Sequence, residues 1–477
     1  MPFRILILFL VFSAPLLAQN ERPNILFCIA DDWGWPHAGS YGDTVVQTPT
    51  FDGLAQQGIL FENAFVSSPS CTPSRGAVLT GQHFWRLGEG ANLWSTLDVA
   101  HPVYPLLLEQ AGYFVGSWRK AWGPGDLKAG GYTDHNPAGK VYKGGLEQFL
   151  AEKPQEKPFC FWLGASDPHR PYEKGSGATS GIDLNAIELP PYYPDSKEIR
   201  SDIADYYYEV QRFDKDVAQA LALLQEKGEL ENTLIVVTGD HGMPFPRAKG
   251  NLYDMGARVP LVISWPRKIK SPKRIQSPVS LTDLAPTFLE AARVAIPEAM
   301  TGKALNGYFN PSSTSKNESD FVLLGRERHT PAQKAPSLNG YPSRAIRTND
   351  YLYICNYAPD RWPAGVPEGA THPKNSFTDS DSGPTKTIIL AQKDQAGYSK
   401  YYDWCFGPRP AEELYAIAQD RYQTNNLAQQ PEYAEIKKSL AQQLEAELIV
   451  AKDPRVLEQK PAFDSYPYRA RYKLKGQ

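Results

Sequence analysis

Three short apolar runs, each ending abruptly in acidic or other polar residues, constrain the fold of this chain most strongly. They cover residues 24–30, 159–165 and 234–238. Runs of this length predict buried strands of a parallel sheet. An Asp-Asp pair, an Asp-Pro-His segment and an Asp-His pair follow them along the chain. Because sites in open α/β sheets lie beyond the carboxyl ends of the strands, we expect these polar residues to share one site.

A helical pattern lies between the second and third runs. Apolar residues recur at helical spacing from Ile203 to Leu224, and Gly228 is a suitable helix end. Residues 259–265 form a fourth apolar run and predict another strand of the same kind. A helix followed directly by a strand favours an α/β fold with a doubly wound, mostly parallel sheet.

The amino-acid composition changes over residues 297–317, which are rich in Pro, Ser, Asn and Gly. This change predicts a domain boundary. We expect a large α/β domain at residues 19–315 and a smaller C-terminal α+β domain at 316–477. Residues 364–386 are polar and irregular, which indicates a loop. Strands of the smaller domain are predicted at 321–324 and 351–356, and a helix at 431–449.

The N-terminal residues 1–18 combine Arg4, an apolar run over residues 5–12 and a small-residue end before Gln19, the pattern of a signal peptide. The apolar run is too short for a membrane anchor, since a spanning helix takes about 20 residues. We therefore expect a secreted or periplasmic protein without a membrane anchor.

The charge balance argues against a nucleic-acid partner. The chain has 50 Lys and Arg against 53 Asp and Glu, a net charge of -3, and no long run of either sign. Binding to nucleic acid or to an anionic membrane leaves a basic footprint that this sequence lacks. An anionic substrate would need a local basic site.

The five cysteines are too few and too scattered for a disulfide framework. Cys28 and Cys160 lie within apolar runs, where a thiol usually serves as a small core residue. Whether Cys355 and Cys405 form a disulfide stays open. Cys71 differs from the other four because it begins a distinctive motif.

Residues 71–81 read Cys-Thr-Pro-Ser-Arg-Gly-Ala-Val-Leu-Thr-Gly. This segment resembles the motif of the formylglycine-dependent sulfatases of the alkaline phosphatase superfamily: Cys or Ser, any residue, Pro, Ser, Arg, and a final Leu-Thr-Gly. The resemblance implies that a maturation enzyme oxidises Cys71 to formylglycine (3-oxoalanine), whose hydrate supplies the nucleophile. One hydrate oxygen attacks sulfur, and the other lets sulfate be expelled as the aldehyde re-forms.

The same resemblance implies a calcium site formed by Asp31, Asp32, Asp240 and His241, with the modified Cys71 completing it. Hard oxygen ligands of this kind select calcium or magnesium. Taken singly, the Asp-Asp pair could merely end a strand and the Asp-His pair could be a turn. Their order around residue 71 matches that of the family.

The resemblance also implies which residues handle charge and protons. Arg75, Lys120 and Lys249 would hold the sulfate oxygens as charge redistributes, and His169 would protonate the leaving group. The sequence departs from the family at Trp122, where a histidine two positions after the lysine is usual.

His329 follows a predicted strand of the smaller domain, within a Gly-Arg-Glu-Arg-His segment. We expect Arg326, Arg328 and His329 to contact the substrate, and His329 is a candidate to assist proton transfer in place of the missing histidine. The alternative interpretation is a solvated strand end.

The resemblance covers most of residues 22–295 and returns at 413–415 and 425–428. The layout is most similar to the branch that contains heparan N-sulfatase and bacterial polysaccharide sulfatases. It implies a sulfated carbohydrate substrate and leaves open whether the group removed is an O-sulfate ester or an N-sulfamate.

Two other functions would share parts of this pattern. A phosphatase or phosphodiesterase of the same superfamily would hold two transition-metal ions through more histidines, yet only His241 among eight histidines has a metal-like context. A degenerate carbohydrate-binding relative without activity has support only from Trp122.

Overall fold

The computed structural model describes residues 22–134, 136–309, 319–334, 336–369 and 376–470. The predicted signal peptide at 1–18 and the predicted boundary at 315–316 lie outside the described residues. None of the helices in the described ranges combines the length and the apolarity that crossing a membrane requires.

The strands form a large eight-stranded sheet, a small three-stranded sheet and a four-stranded sheet near the C-terminus. In chain order they are β1 (Asn24–Ala30), β2 (Ile59–Phe61), β3 (Ala64–Phe65), β4 (Phe114–Arg119), β5 (Lys140–Val141), β6 (Phe159–Gly164), β7 (Thr233–Gly239), β8 (Arg258–Val259), β9 (Leu261–Ser264), β10 (Lys273–Ile275), β11 (Val279–Ser280), β12 (Phe321–Arg326), β13 (Ser343–Thr348), β14 (Tyr351–Asn356) and β15 (Glu412–Ala416).

The helices pack on the sheets and connect their strands. They are α1 (Pro49–Gln57), α2 (Cys71–Thr80), α3 (Tyr104–Gln110), α4 (Gly145–Glu152), α5 (Ser176–Thr179), α6 (Lys197–Glu226), α7 (Asp254–Ala257), α8 (Leu284–Ala291), α9 (Pro384–Gln392), α10 (Ser399–Phe406), α11 (Ala434–Val450) and α12 (Pro454–Leu457).

The large sheet has the order β10-β2-β9-β7-β1-β6-β4-β5, and its five strands from β7 to β5 are parallel. The central strand β1 is buried on both faces. Ile25 and Phe27 belong to one hydrophobic cluster, and Leu26 and Cys28 belong to another. This alternation explains why the run is apolar throughout. The predicted α/β class with a doubly wound, mostly parallel sheet is confirmed.

The fourth predicted strand, over residues 259–265, is wrong in its direction and continuity. Pro260 separates β8, which pairs with β3 in the small sheet, from β9 in the large sheet. Proline has no N–H to donate to a strand ladder, so the pairing is interrupted there. Because β9 is antiparallel to β7, its carboxyl end lies at the edge of the sheet opposite the polar residues.

The helix predicted between the second and third runs is confirmed as α6, which ends two residues before Gly228. In the C-terminal part, β12 to β15 form an antiparallel sheet, and the predicted strands and the helix near residue 431 are confirmed. The loop predicted at 364–386 is wrong at its end, where α9 already begins at Pro384. All five cysteines are free thiols, so Cys355 and Cys405 form no disulfide.

Arg344, Glu327, Asp453 and Arg455 form a buried group of charges in the C-terminal part, hereafter the Arg344 cluster. Arg344 donates to both carboxylate oxygens of Asp453 and, at 2.8 Å, to Glu327. Its remaining N–H groups reach the carbonyls of Arg326 and Ser343. Arg455 completes the pairing of Glu327.

Candidate active site

Four adjacent parallel strands bring the polar residues of the sequence motifs to one edge of the large sheet. Asp240 and His241 follow β7, Asp31 and Asp32 follow β1, the segment bearing His169 follows β6, and Lys120 follows β4. The carboxyl ends of parallel strands meet at one edge, which explains why residues far apart in sequence come together.

Cys71 is the first residue of α2, whose residues are all buried. Ser74, one turn further along, donates a hydrogen bond to the backbone carbonyl of Asp240 at 2.5 Å and ties the helix to the strand ends. The Cys71 Sγ lies 3.2 Å from His241 Nε2 and 3.7 Å from Asp31 Oδ1. Burial raises the pKa of the Cys71 thiol, so an unmodified thiol stays neutral and is a poor nucleophile.

Three buried carboxylates and one imidazole surround Cys71. The ligand atoms of Asp32, Cys71 and His241 lie within 4.8 Å of one another, as do those of Asp31, Cys71 and Asp240. His241 Nδ1 lies 3.0 Å from the carbonyl oxygen of Gly242. A carbonyl only accepts, so a neutral ring must carry its proton on Nδ1 and donate it to that oxygen. The Nε2 lone pair then faces Asp32 Oδ1 at 3.2 Å.

Two lone-pair atoms at this distance repel one another unless a proton or a cation lies between them. Asp32 Oδ1 is buried and receives no hydrogen bond within the described ranges. A buried carboxylate oxygen without a donor is costly. The carboxylates of Asp31, Asp32 and Asp240 with the imidazole of His241 therefore fit a divalent cation with a preference for oxygen ligands.

The backbone of Asp32 is strained. Its φ is +77°, a left-handed conformation that non-glycine residues rarely adopt. In this conformation its N–H donates to Asp240 Oδ1 at 2.9 Å. Strain of this kind persists where surrounding contacts enforce it, and it is frequent at functional sites.

Each of the three carboxylates is paired with a cation. Arg75 Nε lies 2.7 Å from Asp240 Oδ2, and Lys120 Nζ lies 2.6 Å from both oxygens of Asp31. Lys249 Nζ lies 2.9 Å from Asp32 Oδ2. These six side chains, hereafter the site cluster, balance to zero net charge. A divalent cation would make the site positive and suited to an anion.

His169 lies at the open side of the site, with 39% of its side chain exposed. Its Nδ1 faces the Arg170 carbonyl at 2.5 Å and therefore carries a proton. Its Nε2 is 4.0 Å from Asp32 Oδ2. Because Nδ1 is bonded to this carbonyl, Nε2 is the ring nitrogen on the cleft side, and it can give a proton to a group there when the ring is doubly protonated.

His329 also reaches the site, but in a form unsuited to proton donation. Its Nδ1 lies 2.7 Å from Ser70 Oγ, beside Cys71, and the residue is 5% exposed. Burial lowers the pKa of His329 well below its usual value, and nearby Lys249 lowers it further. A neutral imidazole is a poor acid, so the structure does not favour His329 as an assistant in proton transfer.

The expectation that Arg326 and Arg328 contact the substrate is corrected. Arg326 is buried and pairs with Asp379 at 2.9 Å. Arg328 is also buried, and its guanidinium donates to the carbonyls of Leu338, Tyr466 and Pro467. Both guanidinium groups are engaged inside the protein, and the sequence pattern could not distinguish this from a substrate contact.

Trp122, which stands where the family usually has a histidine, is buried in the hydrophobic cluster that includes Ile25 and Phe27. A tryptophan side chain has no titratable group, so residue 122 itself supplies neither an acid nor a base. The structure adds one residue that the sequence analysis missed. Asp381 lies 3.1 Å from Lys249 Nζ and comes from the segment interpreted as a loop. Its only signal in the sequence is the acidic Asp379-Ser380-Asp381 triplet.

Residues 23–294 match the family model described as Sulfatase. This chain belongs to the sulfatase family. It is therefore a sulfuric ester hydrolase, and the phosphatase and non-catalytic alternatives are set aside. Residues 239–363 also match the model described as N-sulphoglucosamine sulphohydrolase, C-terminal.

Two curated relatives of this sulfatase cover most of its length. The human N-sulphoglucosamine sulphohydrolase is 29% identical over 472 residues, covering 90% of each chain. An ulvan-active sulfatase from Formosa agariphila is 28% identical over 439 residues, covering 89% of this chain and 79% of the relative. A solved structure in complex with its substrate D-glucosamine-2-N,6-O-disulfate has a TM-score of 0.64 at 21% identity, over 92% of this chain and 100% of that one. This last likeness concerns the fold.

Proposed function

We propose that this sulfatase removes sulfate groups from sulfated carbohydrates, with residue 71 converted to formylglycine as the source of the nucleophile. The observation that carries the proposal is the position of Cys71 Sγ, which lies among the carboxylates and the imidazole of the site, each carboxylate being paired with one of the three cations. The named activities of the two curated relatives support a sulfated carbohydrate as the substrate class.

Calcium is the cation that we propose for this site, held by Asp31, Asp32, Asp240 and His241 together with the modified residue 71. When bound, it supplies positive charge that polarises the sulfate group and favours a deprotonated nucleophile. The oxygen-rich ligand set favours calcium over zinc.

The remaining roles follow from position. Lys120 and Lys249 pair with Asp31 and Asp32, whose oxygens lie close to the Cys71 Sγ, and both ammonium groups are suited to holding the sulfate oxygens. Arg75 is fully buried against Asp240 and the Lys120 carbonyl, so it fixes the carboxylate as well as the local charge. His169, at the open side, would give the proton on Nε2 to the departing atom.

The proposal also includes the maturation and the export of the protein. A maturation enzyme would convert Cys71 in the nascent chain, and residues 1–18 would direct export to the periplasm or the exterior. The structure does not describe residues 1–18. Edman sequencing of protein recovered from the periplasm should begin near Gln19, and an intact N-terminus would contradict cleavage after residue 18. Failure to recover the protein from the periplasm or the exterior would contradict export.

The central test is peptide mass spectrometry of active protein produced together with a maturation enzyme. We expect the peptide that contains residue 71 to carry an aldehyde in place of the thiol. Cys71→Ala should abolish turnover of a sulfated oligosaccharide, whereas the matched Cys355→Ala should not. Full activity from protein that contains only unmodified Cys71 would contradict the proposed nucleophile.

A second test addresses the cation and the substrate class. Chelation should abolish turnover and calcium should restore it, and restoration by zinc alone would contradict the proposed ligand preference. A panel of defined sulfated oligosaccharides should then contain substrates. Activity confined to phosphate or phosphonate esters would exclude the proposed function.

A further inference from the structure

A cavity outside the site cluster lies beside the segment that follows Asp31 and Asp32. Its volume is about 160 Å³, and the described residues that line it include none of the site cluster. Its walls contain residues from the ranges 36–45, 186–190 and 421–422, together with part of α6. Because one water needs roughly 10–15 Å³ of such a volume, the cavity has room for a ligand of about a dozen non-hydrogen atoms.

His37 presents a hydrogen-bond donor to this cavity. It is 6% exposed, and its Nδ1 lies 3.1 Å from the Tyr206 hydroxyl, which already accepts from the Gly34 N–H. The hydroxyl has one proton of its own, and Nδ1 is the acceptor for it. Burial lowers the pKa of His37 to about 4, so the ring is neutral and carries its proton on Nε2. Tyr206 does not line the cavity, so the Nε2 edge of the ring is the one that faces it.

The Nε2–H group of His37 has no acceptor among the residues that the structure describes. A buried donor without an acceptor carries the full cost of its lost hydration. Such groups are rare in folded proteins and indicate a bound partner. An acceptor on a ligand in the cavity would remove this cost.

Arg421 adds further free donors at the mouth of the cavity. Its guanidinium stacks on two rings, 5.0 Å from the ring centre of Trp35 and 5.5 Å from that of Tyr422. Stacking fixes the plane of the guanidinium and leaves its N–H groups at the edge of that plane. Within the described ranges, no carboxylate lies at ion-pair distance from them. The guanidinium is therefore positioned and still able to donate.

Acceptors in the cavity come from two carboxylates. Asp43 accepts from the Tyr207 hydroxyl at 2.7 Å and from two backbone N–H groups. Glu188, which is exposed, accepts from the Tyr422 hydroxyl at 2.9 Å. A carboxylate offers about four acceptor positions, so most of those on Glu188 stay available. The cavity thus combines unused donors with unused acceptors.

Charge decides which class of ligand fits. Asp43 and Glu188 outweigh Arg421, the one cation of the lining, so the cavity is net negative and disfavours an anion such as sulfate. A simple ammonium ligand only donates and would leave the unused donors unsatisfied. Hydroxyl groups both donate and accept, and they match both kinds of side chain. Tyr207 and Met243, both buried, offer apolar surface to the C–H groups of a sugar ring.

We propose that this cavity binds a neutral, unsulfated monosaccharide unit, with His37 and Arg421 donating to its oxygens and Glu188 accepting from its hydroxyl groups. The inference goes beyond the proposed function, because neither residue 71 nor any proposed metal ligand lines the cavity. Binding should therefore occur in protein whose Cys71 is unmodified and from which divalent cations have been removed. A sugar site of this kind attaches the enzyme to carbohydrate independently of turnover.

The first measurement is saturation-transfer NMR on the unmodified full-length protein in the presence of a chelator. The ligands are D-glucose, D-galactose, D-mannose, D-xylose, L-rhamnose and N-acetyl-D-glucosamine. We expect at least one of them to bind with a Kd on the order of 1–10 mM, the range for a ligand of this size. Equimolar sodium sulfate should not displace it. Absence of binding by all six sugars, or displacement by sulfate, would overturn the inference.

Variants at the exposed mouth then locate the sugar without disturbing the core. Ala186→Trp, which places a large ring at the mouth, and Arg421→Met should each weaken binding at least about tenfold, the loss expected for a hydrogen bond to a charged group. Lys437→Met removes a charge outside the lining, and Lys249→Met alters the site cluster. Both should keep the affinity within about twofold of the wild type. Circular dichroism verifies that all four variants are folded.

The opposite pattern is equally informative. Binding that is lost in Lys249→Met but retained in Ala186→Trp and Arg421→Met would place the sugar in the active site and overturn the inference, as would binding unchanged in all four variants. A crystal soaked in the sugar that binds best should show a sugar oxygen within hydrogen-bond distance of His37 Nε2. Water alone at that position would show that the cavity is only hydrated and would also overturn the inference. Neither result bears on whether the matured enzyme hydrolyses sulfated carbohydrates.

Discussion

The site cluster and the Arg344 cluster are both buried groups of paired charges, but they differ in how completely their atoms are satisfied. Every N–H group of Arg344 has an acceptor, and both carboxylates that face it are bound at both oxygens. In the site cluster, Asp32 Oδ1 has no donor among the residues that the structure describes, and it lies 3.2 Å from His241 Nε2.

This difference shows why buried charge alone does not mark an active site. A buried ion pair whose hydrogen bonds are all made maintains structure, and its disruption leaves an uncompensated charge. A group of buried charges with an unused acceptor, a strained Asp32 and an exposed edge at His169 leaves room for a ligand. The two clusters are distinguished by the unused acceptor in the site cluster, which can bind a ligand, more than by the burial of their charges.

The largest effect on stability is expected in the Arg344 cluster. Arg344→Leu should lower the free energy of unfolding by about 3–5 kcal/mol, because Asp453 and Glu327 lose the partner on which their burial depends. The midpoint of urea unfolding measures this loss. The kcat of the folded fraction should stay near the wild-type value, and a large loss of kcat at full folding would break the comparison by giving this cluster a catalytic part.

The next effect is on catalysis. Lys249→Met should lower kcat about 10²- to 10³-fold, the usual loss on removing one preorganised charge-stabilising group. Steady-state kinetics on a sulfated oligosaccharide measure it, with circular dichroism to verify folding. A variant with wild-type kcat but a stability loss like that of Arg344→Leu would place Lys249 among the structural charges.

The unused binding capacity of the site predicts stabilisation by metal. Calcium at about 100 times its Kd should raise the free energy of unfolding by about 2.7 kcal/mol. Thermal unfolding with and without calcium detects the shift. Asp32→Asn should reduce it strongly, whereas Asp453→Asn, in the satisfied cluster, should keep the full calcium response despite a lower starting stability. A calcium shift unaltered by Asp32→Asn would place the ion elsewhere.

The smallest effect is expected at the partly exposed pair of Lys437 and Glu412, whose charged atoms are 3.0 Å apart. Lys437→Met should change the free energy of unfolding by less than about 1 kcal/mol, since solvent and salt screen such pairs. The same urea unfolding experiment measures it. A loss comparable to that of Arg344→Leu would mean that burial is not what separates strong from weak pairs in this protein.

The sequence is sufficient to predict the parts of the fold and the site that depend on local pattern. Each of the strands β1, β6 and β7 is followed directly in sequence by its polar residues. One sequence pattern therefore indicates the strand and the site residues at its end. An apolar run has no direction, however, and the reversed course of β9 depends on its partner β7.

Contacts that depend on distant segments could not be predicted. Arg326 and Arg328 have the same sequence context whether they face solvent, substrate or the protein interior, and their partners Asp379 and Tyr466 come from other parts of the chain. Asp381 lies in a segment without periodicity, and its significance appears only when Lys249 is beside it.

The burial of Cys71 has a consequence for the order of events during biosynthesis. The thiol is 2% exposed, at the start of a helix that is enclosed along its length. The proposed maturation enzyme could not bind residues 71–81 in an extended conformation unless this helix were unfolded. The oxidation that we propose would therefore have to precede folding, and a chain that folded first would keep an unmodified thiol at residue 71.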